Sequence, residues 1–265
     1  MGASKASDEW EMMHDPNPID GLISRSHTAG IVQAMMEAER HPVAALQERV
    51  KKEQDRLSAL HHIHVLFATL RDLSTRLIAR ATFSASPDLA LGVVRRFVAE
   101  YNNTVETIRS YTTYDSEQRT AGILVGDATI CVVHANLKTL LGSRSVGLGN
   151  PWASLEDIGI APTPNRGGLG TSPHLVLDED RFRSALRSDA DGVWSLFAAV
   201  SILGEDGEVK KLRRGVKARI GEYLEQLLAP AGTFAEREEG TERHIATLKR
   251  QIERMEEYVS RCARG

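Results

Sequence analysis

Aromatic residues are scarce in this chain: Phe, Trp and Tyr together make up 5% of 265 positions. A compact enzyme tolerates that poorly. A protein of long helices tolerates it well, because Leu, Ala, Glu and Arg build helix faces without rings. Cysteine is scarcer still. Cys131 and Cys262 are the only two, and they form neither a CxxC pair nor a disulfide framework. Both fall on apolar helical positions and are expected to be ordinary buried thiols. No apolar run reaches the ~20 residues that a bilayer span requires. The start, "MGASKASDEWEMMHDPNPIDG", has no basic n-region and no apolar h-region, so no cleavable secretory signal is expected. Ala6 stands where the myristoylation motif opened by Gly2 needs Ser or Thr. Concentrated positive charge is missing too. The 33 Lys and Arg are interleaved with 36 Asp and Glu, for a net charge of −3, which argues against a nucleic-acid partner.

What is present is helical periodicity. A helix signal starts near Ser26 to Gly30, runs through "IVQAMMEAER" and pauses at Pro42, which suits the first turn of a new helix. From Val43 to Ala81, the apolar residues Leu46, Val50, Leu57, Leu60, Ile63, Phe67, Leu70, Leu73 and Leu77 recur mostly at steps of three or four. A helix of that length needs a partner along its side. Near the other end, Ile245, Leu248, Ile252, Met255, Val259 and Cys262 form an a/d seam. A preceding helix carries Leu212, Val216, Ile220, Leu224 and Leu227 and stops at "APAG". Pairing the two ends of the chain buries both amphipathic faces.

Between these lies a mixed region. A helix is expected from about Leu89, with Phe97, Tyr101, Val105 and Ile108 on one face. The stretch "GILVGDATICVVHANLKTLLG" from Gly122 reads as a turn and a helix capped by Asp127 at its start and by Gly142 at its end. Short strands around Ile158–Ile160 and Leu175–Leu177 flank a Gly/Pro loop as a small hairpin, and Asp178 caps the next helix.

Each residue group that invites a chemical reading also has a plainer one. "GILVGDATI" could open an anion site at a helix N-terminus. A phosphate loop, however, needs Lys-Ser/Thr where Asp127-Ala128 stand, and an acid there repels phosphate. In "LHHIH", His61 and His64 share a helix face beside His62 and could bridge a metal. No acid stands at helical spacing to complete the set, so they read as polar residues of a long helix. "GGLGTS" from Gly167 lacks dinucleotide-binding spacing. Asp178 and Asp180 fit a cap and a helix first turn. "SDADG" from Ser188 is followed by no further calcium ligand. Trp194 and Phe197 read as core anchors. No nucleophile with a paired base can be read, so catalytic, cofactor and metal residues are all assigned as none.

The ordered series "GLISRSHTAGIVQAMMEAER", "FVAEYNNTVETI", "GILVGDATI", "SLEDIGI", "LVLDEDRFRSAL", "DGVWSLF" and the closing helices resembles the bacterial flagellar filament cap family, also called hook-associated protein 2. The resemblance covers roughly residues 20–264. It departs from the family at Arg25 and His27, where Gly and Asp are usual, and at "FSASPDLALGVV", which joins the two blocks without the central variable domains. The resemblance implies a reduced member that also lacks the extreme C-terminal segment. The expected fold class is mainly α (α+β), a long antiparallel coiled-coil leg with a small α/β head. The expected division is a flexible N-terminus (1–20), N-terminal leg helices (21–85), a head (86–210) and C-terminal leg helices (211–265). The resemblance further implies a non-enzymatic cap at the filament tip, reached by flagellar type III export. The implied partners are a second copy of the chain in a weak homo-oligomer, flagellin, hook–filament junction proteins and an export chaperone. No nucleic-acid or membrane partner is implied. The alternatives are a coiled-coil adaptor or degenerate cap paralogue, and a small His-site metalloenzyme.

Overall fold

The computed structural model describes residues 18–77, 83, 86–144, 152–164, 171–198, 200–203, 209–213 and 215–262. Helices among the described residues include α1 (Pro18–Arg76), α2 (Pro87–Thr112), α3 (Ala128–Gly142), α4 (Glu179–Phe197), α5 (Val216–Leu228) and α6 (Thr233–Cys262). Among the described residues the strands form three antiparallel hairpins: β1 (Tyr114–Asp115) with β2 (Thr120–Ala121), β3 (Ile160–Pro164) with β4 (Thr171–Leu177), and β5 (Val200–Leu203) with β6 (Val209–Arg213). The chain is mainly α, with a small α/β part, as its periodicity implies.

Several local expectations are corrected. Helix α1 begins at Pro18 rather than near Ser26, since proline suits a first turn. It then runs through Pro42 without pausing. One missing N–H bond is a local defect that long helical stretches on both sides can carry. Ile158 closes a 3-10 turn, Glu156–Ile158, and β3 starts only at Ile160. Leu212 lies in β6, not in the helix that begins at Val216. Its apolar spacing to Val216 also suits a strand leading into a helix. The hairpins β1–β2 and β5–β6 were not legible in the sequence, because strands of two to five residues carry almost no period. Gly142 is the last residue of α3 and adopts no left-handed cap. Instead Arg219 of α5 donates to the Ser143 hydroxyl and, at 3.2 Å, to its carbonyl, serving the negative end of the helix. Cys131 and Cys262 are both exposed. The seam ending at Cys262 is buried at Ile245 and Leu248 and only half-buried at Ile252, Met255 and Val259. The loop from Gly167 to Gly170 and the first 17 residues lie outside the described residues.

The chain divides into two compact units, residues 1–51 with 245–265, and residues 52–244. In the first, Arg40, Val43, Ala44 and Gln47 of α1 face Glu256, Val259 and Ser260 of α6 across a shallow groove. Val43 and Val50 are buried.

The second unit holds the main core. Leu60, Ile63, Phe67, Leu70 and Leu73 of α1 join Phe97, Tyr101, Val105 and Ile108 of α2 in one apolar cluster with Phe182, Phe197, Ile220, Leu224 and Phe234. Within this unit α1 and α6 run antiparallel. Phe67 meets Phe234 edge-on at 5.5 Å, His64 meets Glu238, and Glu53 lines a cleft with His244. Helix α2 starts at Pro87 because Ser86 caps it, its Oγ accepting the Asp88 N–H. From the middle of α2, Asn102 reaches β4. Its Nδ2 donates to the Leu175 carbonyl and its Oδ1 accepts the Leu175 N–H, both at 2.8 Å. A side-chain amide thus pairs with the backbone of β4 much as a neighbouring strand would. One residue away, the Tyr101 hydroxyl donates to the Pro173 carbonyl at 3.0 Å.

Burial pushes the Tyr101 hydroxyl from 10.0 up to about 12. The folded state therefore holds the proton more tightly than the unfolded chain. Its contribution is fully present below pH 10.0 and is lost as pH rises through about 12. A loss of roughly 3 kcal/mol is expected over that window. Denaturation measured from pH 9 upward should show a steep fall that Tyr101→Phe flattens. An identical fall in the variant would assign the alkaline loss elsewhere.

Candidate functional site

The stretch from Gly122 to Ile130 builds a compact joint. It begins where α2 ends: the Gly122 N–H donates to the Thr113 carbonyl at 3.0 Å, and the Leu124 N–H to the Tyr111 carbonyl at 2.8 Å. The backbone at Gly122 passes so close that a Cβ there would run into the carbonyls of Tyr111 and Ser110. Leu124 is fully buried. The chain then turns through Gly126 at φ 81°, a conformation that favours glycine. Asp127 follows. Its Oδ1 accepts the N–H groups of Thr129 and Ile130 at 3.1 and 3.3 Å, capping α3.

The other carboxylate oxygen is also engaged. Oδ2 of Asp127 accepts Arg56 of α1 at 3.1 Å and also Arg237 of α6. The Asp127 side chain is 1% exposed, and the two arginines are about a third exposed. The helix N-terminus therefore carries its own anion, and two guanidiniums neutralise it. The expected cap is present. Arg56 and Arg237 had no signal in the sequence. Each looks like a solvated helix charge, and they lie 71 and 110 positions from Asp127.

One and two turns further along α1, His61 and His64 do acquire an acidic neighbour. Glu238 of α6 lies 3.5 Å from His61 Nε2 and 3.0 Å from His64 Nδ1, while His62 turns to the Tyr111 hydroxyl at 3.0 Å. Among the described residues no group of three His, Cys, Asp or Glu side chains is arranged to hold a metal ion. Asp178 accepts the Arg181 N–H and caps α4, and Asp180 lies exposed in its first turn. The "SDADG" stretch is a break inside α4. Asp189 leaves helical geometry and its Oδ1 accepts the Gly192 N–H at 2.7 Å, restarting the helix. Phe197 is buried in the core and Trp194 packs against it. A cleft of roughly 300 Å³ opens beside Tyr101, with Leu141, Leu155, Ile160 and Leu175 forming an apolar floor and Lys138 beside them. No helix of the described residues is long and apolar enough to cross a membrane.

The contacts around Asp127 and Glu238 are thus caps, clamps and ion bridges between helices. Residues 70–264 match the family model described as flagellar hook-associated protein 2 C-terminus. Flagellar hook-associated protein 2 of Escherichia coli (strain K12) is 29% identical over 162 residues, covering 58% of this chain and 31% of the relative; that of Escherichia coli O157:H7 is 29% identical over the same length. Lateral flagellar hook-associated protein 2 of Vibrio parahaemolyticus is 25% identical over 130 residues, or 45% of this chain and 26% of the relative. The chain thus spans about a third or less of these relatives' length. With most of its length matched, the chain belongs to the flagellar hook-associated protein 2 family.

Proposed function

We propose that the protein is a non-enzymatic component of the flagellar filament cap, acting at the distal tip to retain and place flagellin subunits. The observation that carries this reading is the family match over residues 70–264, together with a site made of helix-joining contacts. In this reading the long helices α1 and α6 serve as a coiled-coil leg that docks on the filament end, where helical segments pair along apolar seams. The part between them forms a head that makes lateral contacts. Its partners are flagellin, further copies of the chain in a weak homo-oligomer, hook–filament junction proteins and an export chaperone, with delivery by flagellar type III export.

Deleting the gene from a host with no second cap gene is expected to release flagellin into the medium and leave filaments short or absent. Motility plates, electron microscopy and assay of secreted flagellin read this out. Normal filaments would overturn the capping role and leave the reading of a coiled-coil adaptor standing.

A further inference from the structure

We infer that Asp127 is a coupling joint, a buried carboxylate through which the start of α3 and the α1/α6 pair are held together inside the 52–244 unit. Three observations carry this. First, the two oxygens divide the work: Oδ1 takes the backbone of α3, and Oδ2 takes Arg56 and Arg237 from two other helices. Second, α1 and α6 border an open cleft at this level with polar and small residues. Glu53, Arg56, Arg237, Gly240, Thr241 and His244 line this cleft of roughly 330 Å³, and the ion bridge joins the two helices beside it. Third, among the described residues the Nε of Arg237 is buried with no hydrogen-bond partner. Such a placement is costly, and the bond to Asp127 offsets it.

The joint reaches a fourth helix through the turn itself. Gly122 and Leu124 are bonded to the end of α2, five and three residues before the carboxylate. A shift of α3 therefore pulls on α2 through the backbone and on α1 and α6 through charge. Removing one partner of such a bridge leaves uncompensated charge behind and costs far more than an exposed pair does.

Hydrogen–deuterium exchange of the full chain, read by mass spectrometry, tests this. Asp127→Asn keeps the capping oxygen, since Asn caps helices as well as Asp, but removes the charge that draws both arginines. Exchange is expected to quicken about tenfold or more in 53–64 of α1 and 234–244 of α6. An increase confined to the first turn of α3, or none, overturns the joint and leaves a plain helix cap. A uniform rise across the whole unit overturns it in favour of general destabilisation. Arg237→Gln reads the same coupling from the far side of the bridge. It touches neither hydrogen bond of the cap, yet exchange in the first turn of α3 is expected to rise several-fold. Unchanged exchange there overturns the proposal independently of how Asp127→Asn folds.

Discussion

Leu70→Asp is expected to abolish cooperative folding of the 52–244 unit. Leu70 is 0% exposed in the cluster shared by α1, α2 and α6. The substitution forfeits about 2 kcal/mol of apolar transfer and forces a carboxylate into an apolar cluster. Together these cost about 5 kcal/mol or more, comparable to the whole stability of a typical domain. Val65→Asp is the matched control on the same helix. Val65 is 62% exposed, so its replacement should shift stability by about 0.5 kcal/mol or less. Circular dichroism melts of both variants decide the matter. Equal melts would mean that this stretch of α1 does not face the core.

Gly122→Ala is expected to destabilise by about 3 kcal/mol, a large effect for one methyl group. The new Cβ meets main-chain carbonyls at the end of α2 rather than side chains, so no rotamer change relieves the overlap. The turn must open, and with it the bonds from Gly122 and Leu124 that set the position of Asp127. Gly92→Ala should act in the opposite direction. Gly92 lies inside α2 with nothing within 4 Å of an added Cβ, so alanine gains helix propensity worth about 0.5–1 kcal/mol. Chemical denaturation of the pair gives two midpoints that should move apart around the parent protein. Movement in the same direction would show that propensity, not backbone approach, governs Gly122.

These variants separate two kinds of information in the chain. The sequence by itself determined the mainly helical class, the buried faces of α1 and α2, the caps at Asp127 and Asp178, and the β3–β4 hairpin. Each rests on neighbours within a few turns: apolar residues recurring every three or four positions through Phe67, Leu70 and Leu73, or a short acid placed just before a helix. The ordered motifs that resemble the flagellar family were legible for the same reason, since short-range spacing survives in a single sequence. Cys262 shows where that reasoning fails. Its place in the heptad predicted a buried thiol, but burial depends on what lies opposite, and the seam loses its cover toward the end of α6.

Only the tertiary structure decided which charges matter. Arg56, Arg237 and Glu238 sit among many exposed helix charges of the same kind, and nothing local marks them. Their roles follow from the antiparallel approach of α1 and α6, which brings them beside Asp127, His61 and His64 across long separations in the chain. Asn102 is the same case, since the edge of β4 that it clamps lies 73 positions away. A charge or amide gains its large effect only once folding has removed water from around it and fixed its partner, and that partner is a property of the fold.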